Sequence, residues 1–279
     1  MSSLPPGPSD RLNTQRIEEV VKRSEYWQQL TYLEHTGSTN DVAKDLASQE
    51  APEGTIVVSE EQTAGRGRMD RRWVAPLKSS ILCSILFRPN LSAGQAHRLT
   101  MLCSMAAADA VERVAELHVL IKWPNDLIVT SLDTRGRYEA WRKLGGILTE
   151  TGMTGDRLEF VVVGIGINVN VPPDLLPRLA PDATSVLAET GREFDRSALL
   201  GAVLEGVELR YGRLKSGQSP REEWAARLAT LGQRIAVATA RGILEGVAET
   251  VDEDGALVLR TDDGVRHRLM TGDVTLSHA

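Results

Sequence analysis

The sequence predicts an α+β protein with one large mixed domain and one small all-β module. Three observations lead to this expectation. From residue 31 to about residue 230, apolar runs rich in β-branched residues alternate with segments of helical periodicity. From Gly232 onward the pattern changes to short strands separated by turns rich in Asp and Gly. The chain has 279 residues, 42% hydrophobic and 25% charged, which is ample for a buried core and suits this two-part division.

The individual elements follow from periodicity, taken in chain order. A second helix is expected to begin at Ser38-Thr39-Asn40, whose side chains are typical N-caps. The predicted helices lie at 13–29, from 39 onward, 95–116, 197–213 and 221–231. The predicted strands lie at 32–35, 55–59, 80–87, 119–122, 127–130, 143–151, 158–168, 234–238, 243–251, 256–260 and 265–269. The chain thus divides into a tail and helix at 1–30, a main domain at 31–230 and a terminal module at 231–279.

Charge and composition exclude several classes of function. The net charge of −6 means that the surface as a whole is not a nucleic-acid footprint. Cys83 and Cys103 lie in apolar runs, and neither they nor the five scattered histidines show metal-ligand spacing, so no metal site is predicted. No apolar stretch approaches membrane-spanning length, and the Pro-rich residues 1–10 are predicted to be a tail rather than a signal peptide. We therefore expect a cytoplasmic protein with no membrane partner.

The most informative segment is Gly65–Trp73, which reads Gly-Arg-Gly-Arg-Met-Asp-Arg-Arg-Trp. Glycine lets the backbone approach a ligand closely. Arginine supplies a permanent positive charge and a planar fork of donors that matches phosphate or carboxylate. Because the chain as a whole is acidic, the segment indicates a local anion site. Taken alone, it is explained as well by an RG-type nucleic-acid contact or a solvated loop.

Four further stretches suggest a ligand site, although each also has an ordinary structural explanation. Ser38-Thr39-Asn40 would offer hydroxyl and amide groups to a polar ligand, or simply cap a helix. Lys122–Asp126 (Lys-Trp-Pro-Asn-Asp) places a cation and an amide at the rim of a sheet, or forms a plain β-turn. Lys143–Leu148 begins a strand with two glycines, where a ligand can lie against the backbone. Gly164–Asn168 also thins a strand, and it fails the dinucleotide fingerprint because no third glycine follows.

Together and in this order, these five stretches, with Gln62 just before the Gly-Arg segment, resemble the signature of biotin protein ligases. The terminal module is similar to the small SH3-like β-barrel of the same family. The resemblance therefore covers residue 31 to the C-terminus. It implies an α+β fold with a mixed central sheet and flanking helices, of the class II synthetase-like type found in biotin and lipoate ligases.

The resemblance implies both ligands and roles. The family uses ATP and Mg²⁺ to activate biotin as biotinyl-5′-AMP, and then transfers biotin to one lysine of a biotin carboxyl carrier domain. Bringing a carboxylate to the α-phosphate unites two anions, so the site needs fixed positive charge. The catalytic candidates are Lys143, Arg68 and Arg66. The residues implied at biotin are Ser38, Thr39, Asn40, Gln62, Gly65, Arg66, Gly67, Arg68, Lys143, Gly146, Gly164 and Gly166. The residues implied at ATP are Arg68, Arg71, Trp73, Lys122, Asn125 and Asn168.

Three details are specific to this chain. The segment 65–72 is predicted to be mobile when empty and to order over ligand, which would keep water from the reactive adenylate. Asp70 interrupts the repeated Gly-Arg pattern of the family, and residues 131–142 form a longer polar insertion, predicted to be an exposed hairpin tip. No aromatic residue occupies 181–185, where some members stack a ring on adenine.

Two alternatives of function and two questions of assembly stay open at this point. A lipoate protein ligase shares the fold and the adenylation chemistry, but the double Gly-Arg pair favours biotin. A non-catalytic biotin-binding regulator would not need Lys143 together with both arginines. Residues 1–30 offer one helix, fewer than a DNA-binding helix-turn-helix needs, so a monofunctional ligase without DNA binding is expected. Family members occur as monomers and as dimers, so a homodimer is open.

Overall fold

The computed structural model describes residues 11–132, 138–239 and 242–276. The helices are α1 (Thr14–Arg23), α2 (Thr39–Ser48), α3 (His97–Ala115), α4 (Leu176–Leu179), α5 (Val186–Thr190), α6 (Arg196–Lys215) and α7 (Arg221–Ala226), with a 3₁₀ turn at Ala93–Gln95. The strands are β1 (Gln29–Thr36), β2 (Thr55–Gln62), β3 (Ser80–Phe87), β4 (Leu120–Lys122), β5 (Asp126–Leu132), β6 (Tyr138–Thr154), β7 (Arg157–Asn168), β8 (Arg234–Thr239), β9 (Gly242–Val251), β10 (Leu257–Arg260), β11 (Arg266–Leu269) and β12 (Asp273–Leu276).

Seven strands form the mixed central sheet, in the order β1-β2-β3-β7-β6-β5-β4. Strands β1 and β2 are parallel, and the other neighbours are antiparallel. The terminal module is an antiparallel five-stranded sheet in the order β11-β10-β9-β8-β12. The expected α+β class, with a mixed sheet followed by a small all-β module, is confirmed.

Helices cover the two faces of the main sheet unequally. Helices α3 and α6 cover one face, and they approach closely because Gly206 leaves no side chain against Ala106, whose Cβ would lie 3.1 Å from a Cβ at Gly206. Helix α2 covers part of the other face, where Ala43 and Ala47 pack on Val57 and Val162. A cavity opens on the part of this sheet face that α2 leaves uncovered.

Some element boundaries differ from the sequence-based expectation. Helix α1 ends at Arg23 rather than at residue 29, because the Ser24 hydroxyl accepts the Tyr26 and Trp27 amides and turns the chain. Strand β6 begins at Tyr138, five residues before Lys143, because it pairs with β5 across much of the polar insertion. Residues 133–137 of that insertion, and the tail 1–10, lie outside the described residues.

Other differences concern short elements. Helix α7 ends at Ala226 instead of residue 231, and strand β12 and helices α4 and α5 were not predicted from the sequence. Across the described ranges, no helix is both long and apolar enough to span a membrane.

Candidate active site

A cavity of about 500 Å³ opens on the α2 face of the main sheet. It lies between the start of α2, the Gly65–Trp73 segment, the β4–β5 turn, strands β6 and β7, and the start of β12 in the terminal module. The predicted site residues that line it are Ser38, Thr39, Asn40, Gln62, Arg66, Gly67, Arg68, Arg71, Trp73, Lys122, Asn125, Lys143, Gly146, Gly164, Gly166 and Asn168. Among the predicted site residues only Gly65 lies outside this lining.

Glycines clear the floor of the cavity. Strand β7 alternates buried Val163, Ile165 and Ile167, which face α3, with Gly164 and Gly166 on the opposite face. A Cβ on Gly164 would lie 2.4 Å from Asn40 Oδ1, and one on Gly166 would lie 2.7 Å from the Trp73 indole. The glycines therefore let an amide and an indole lie against the strand, whereas the sequence pattern indicated a ligand at this position.

One end of the cavity is polar and nearly uncharged. The Thr39 amide and hydroxyl both donate to Gln62 Oε1, at 2.8 and 3.0 Å. Ser84 on β3, which sequence analysis missed, places its hydroxyl 2.6 Å from Asn40 Oδ1 and 2.7 Å from Thr39 Oγ1. The Ser38 hydroxyl, at the N-cap of α2, makes no capping hydrogen bond to a described residue. The period-two alternation of β3 would have placed Ser84 on this face.

The Gly65–Trp73 segment is a hairpin. The Trp73 amide donates to the Gly65 carbonyl at 2.9 Å, and the Gly67 amide donates to the Arg71 carbonyl at 2.6 Å. Met69 and Asp70, at its tip, have φ values of 54° and 59°, as a two-residue type I′ turn requires. Gly65 serves this hairpin rather than the cavity wall, because a Cβ there would lie 2.4 Å from the Trp73 carbonyl oxygen.

Arg66 and Arg68 of the hairpin point to opposite ends of the cavity. Arg66 Nη2 lies 2.6 Å from Asp41 and 2.8 Å from Glu150, beside the polar end. Arg68 Nη1 lies 3.1 Å from Asn125 Oδ1, and Asn125 in turn donates to the Ile147 carbonyl at 2.6 Å. Burial lowers the pKa of Arg68, although an arginine stays protonated under any ordinary condition.

The other end of the cavity is strongly charged. Lys143 Nζ lies 2.7 Å from Asp126 Oδ1, and Lys122 Nζ lies 3.7 Å from Asp126 Oδ2. Arg71 Nη2 lies 2.5 Å from Asp273, a residue of the terminal module. Burial would raise the pKa of Asp273, but the hydrogen bond from Arg71 and the charges of the two lysines outweigh it and hold the pKa below its ordinary value.

The sequence analysis predicted no role for the Asp126 or Asp273 carboxylate. Asp126 ends the Lys-Trp-Pro-Asn-Asp stretch four residues after Lys122, so the motif itself carried a signal for it. Asp273 had no such signal, because only the fold brings the terminal module to this point. The Trp123 indole helps to hold the module there, since its Nε1 donates to the Gly255 carbonyl at 3.0 Å.

Two buried polar atoms at the cavity have no hydrogen-bond partner among the described residues. They are Trp73 Nε1 and Asn168 Oδ1, whereas Asn168 Nδ2 donates to the Thr184 carbonyl at 3.0 Å. Buried polar groups are normally hydrogen-bonded, so both atoms are suited to contact a ligand. The segment 181–185 pairs with Lys143 and contributes Asp182 and Ala183 to the lining, so it places no aromatic ring at this wall.

Comparison with known proteins identifies the family. The Biotin/lipoate A/B protein ligase family matches residues 32–168, and the Biotin protein ligase C terminal domain matches residues 230–277. The chain is 33% identical to the bifunctional ligase/repressor BirA of Bacillus subtilis, over 95% of this chain and 79% of that protein. The chain belongs to the biotin protein ligase family. The resemblance read from its motifs is thereby confirmed.

Two further relatives of this family are similar over nearly their whole length. The biotin--[acetyl-CoA-carboxylase] ligase of Paracoccus denitrificans is 33% identical, over 83% of this chain and 94% of that protein. The biotin protein ligase from Aquifex aeolicus, solved in complex with biotin and ATP, has a TM-score of 0.71 and 25% identity, over 91% of this chain and 100% of that chain.

Proposed function

We propose that this chain activates biotin with ATP as biotinyl-5′-AMP and transfers the biotinyl group to a lysine of a biotin carboxyl carrier domain. One observation carries the proposal. A single cavity joins a nearly uncharged polar end, built on α2, to a cationic end that holds Arg68, Arg71, Lys122 and Lys143. Its volume of about 500 Å³ lies within the ordinary range for small-molecule sites.

Biotin fits the polar end and the glycine floor. Its ureido group carries two N–H donors and a carbonyl acceptor, and Thr39, Asn40 and Gln62 line the cavity with hydroxyl and amide groups of both kinds. The bicyclic ring and the aliphatic chain then lie beside the Asn40 amide and the Trp73 indole, which rest on Gly164 and Gly166. This orientation directs the biotin carboxylate toward the cationic end.

The residues at the cationic end suit adenylate formation. A carboxylate oxygen of biotin attacks the α-phosphorus, the bond from that phosphorus to the oxygen bridging the β-phosphate breaks, and pyrophosphate leaves. Arg68 and Lys143 offset the negative charge that gathers at this point, and Asn125 and Asp126 already hold them in place. In the second step the carrier lysine amine attacks the acyl carbon and loses a proton, and AMP leaves.

Mg²⁺ would be bound mainly by the triphosphate of ATP rather than by protein side chains. No group of three or more His, Cys, Asp or Glu side chains within 11–132, 138–239 and 242–276 could hold a metal ion. Asp126 and Asp273 line the cavity, but each already pairs with cationic side chains. Mg²⁺ commonly binds through phosphate oxygens and water with few protein ligands, so we expect it to enter with ATP.

Other expectations stay predictions. A carrier-domain lysine as acceptor, a cytoplasmic location and a ligase without DNA binding are expectations from the sequence, and a homodimer is an open question. The Bacillus subtilis relative is named a repressor as well as a ligase, so DNA binding is a separate question from the chemistry of the cavity.

The decisive experiment is ATP-dependent transfer of biotin to an isolated biotin carboxyl carrier domain, with Lys143→Ala beside the wild type. Transfer by the wild type and its loss in the variant support the proposal. Lys215→Ala is the control, because Lys215 lies over the Tyr26 and Tyr211 rings outside the cavity and should transfer normally. Biotin binding without transfer would favour a biotin-binding regulator, and activity with lipoate alone would favour a lipoate ligase.

A further inference from the structure

Glu150 lies behind the polar end of the cavity and contacts two other elements, helix α2 and the Gly65–Trp73 hairpin. It is on β6, with a side chain only 23% exposed, and is not part of the cavity lining. Its carboxylate lies 2.7 Å from Asn40 Nδ2, 2.8 Å from Arg66 Nη2 and 3.0 Å from Lys44 Nζ. None of the sequence motifs pointed to it.

We propose that Glu150 is a positioning residue for biotin, and that it acts through Asn40 and Arg66. This inference rests on the proposed function. It also assigns Arg66 the role of anchoring the Gly65–Trp73 hairpin to α2, rather than that of stabilising charge at the reacting phosphate.

The first step of the argument concerns the Asn40 amide. An ionised carboxylate only accepts hydrogen bonds, so Asn40 must turn Nδ2 toward Glu150. Its Oδ1 then accepts from the Ser84 hydroxyl at 2.6 Å, in space that is free because Gly164 has no side chain. Glu150 therefore decides which way round the amide faces a ligand at the polar end.

The second step concerns Arg66. One terminal nitrogen of its guanidinium contacts both Asp41 on α2 and Glu150 on β6. Lys44 contacts the same two carboxylates, each at 3.0 Å, so two cations and two anions balance locally. The charge of Arg66 is neutralised here, whereas Arg68 points to the opposite end of the cavity.

The network also keeps Glu150 ionised. Burial would raise the pKa of Glu150, but hydrogen bonds from Asn40 and Lys44 and the charge of Arg66 outweigh it and hold the pKa below its ordinary value. At neutral pH the carboxylate is therefore available to Asn40 and Arg66 at once.

The test is Glu150→Gln, measured by steady-state kinetics and by the half-life of biotinyl-5′-AMP on the protein. Losing a hydrogen bond to a charged group predicts a KM for biotin about tenfold higher and adenylate release about tenfold faster. The KM for ATP should stay within about twofold, because the groups at the cationic end keep their partners. A variant in which both KM values rise together would contradict the inference.

Glu112→Gln is the matched control. Its side chain is 26% exposed against 23% for Glu150, and it pairs with Arg227 as Glu150 pairs with Arg66, but it lies on α3 outside the cavity. Both variants should lose similar stability, and only Glu150→Gln should change the KM for biotin. Equal kinetics in the two variants would overturn the inference.

Asp41→Asn tests the same network if Glu150→Gln does not fold. It removes one partner of Arg66 and leaves the contact between Glu150 and Asn40 intact, so adenylate release should quicken more than the KM for biotin rises. The opposite order would overturn the inference. If the wild type itself transfers no biotin, the proposed function fails and this inference fails with it; a failure limited to the variants leaves the proposed function standing.

Discussion

The two ends of the cavity are built in different ways. The polar end joins Thr39, Asn40, Gln62 and Ser84 by short hydrogen bonds between rigid elements, α2, β2 and β3. The cationic end joins a hairpin, a turn and the terminal module through ion pairs such as that of Arg71 with Asp273. The polar end is thus already arranged for its ligand, whereas the ion pairs of the cationic end must exchange partners when a triphosphate enters.

The largest expected effect is at Arg68, at the cationic end. Arg68→Gly removes the charge nearest to Asn125 without adding bulk to the hairpin, so transfer should slow about a hundredfold, as when one stabilising donor is lost from a charged transition state. Biotinyl-5′-AMP should also leave the protein faster. Arg113→Ala, which removes an exposed arginine paired with Glu205, is the control. An Arg68→Gly variant that retains its adenylate would contradict the predicted closure over the ligand.

The next largest effect is expected at the polar end and tests whether that end is rigid. In Gly164→Ala the new methyl group would lie 2.4 Å from Asn40 Oδ1, and Asn40 cannot retreat without losing Ser84 and Glu150. Biotin affinity, measured by isothermal titration calorimetry, should fall about thirtyfold, with a smaller change for ATP. Gly94→Ala is the control, because nothing lies within 4 Å of a Cβ there. Normal biotin affinity in Gly164→Ala would show that this end adapts.

How much of each end the sequence predicted does not follow this difference. The cationic side chains lie in motifs with local signatures, and the floor shows the alternation of Gly164 and Gly166 with buried aliphatic residues, so both were predicted. Asp273, Glu150 and Ser84 carried no motif, since their roles arise only when strands distant in sequence become neighbours, and two of these three belong to the polar end. Strand β12 was missed although β10 and β11 are equally short, because those two strands were predicted from the Asp- and Gly-rich turns beside them.

A smaller effect is expected at the cationic end. Asp273→Asn removes a negative charge from the place where a triphosphate enters and releases Arg71 to bind it, so the KM for ATP should fall about threefold. The KM for biotin should not change. A rise in the KM for ATP would mean that Asp273 holds Arg71 in its working position, and that the terminal module takes part in forming the site rather than competing with phosphate.

The smallest effect concerns the wall formed by segment 181–185 beside Lys143. Glu189 holds this wall through hydrogen bonds from Thr184 and Arg142. Burial would raise the pKa of Glu189, but these bonds outweigh it and hold the pKa below its ordinary value of 4.5. A carboxyl group with a depressed pKa in the folded state contributes stability that is complete above the unfolded value and is lost as the pH falls through the folded value.

Glu189→Gln should therefore lower the free energy of unfolding at pH 7 by about 1 kcal/mol or less, because Arg142 is more than a third exposed and water screens the pair. The difference from wild type should shrink as the pH falls below 4.5 and through the lower pKa of the folded state, where the wild-type carboxylate of the folded protein takes up its proton. Urea unfolding at several pH values measures it. A difference independent of pH would mean that the shape of the Glu189 side chain, and not its charge, supports the wall. The cationic end would then resemble the polar end, because packing and neutral hydrogen bonds would hold both.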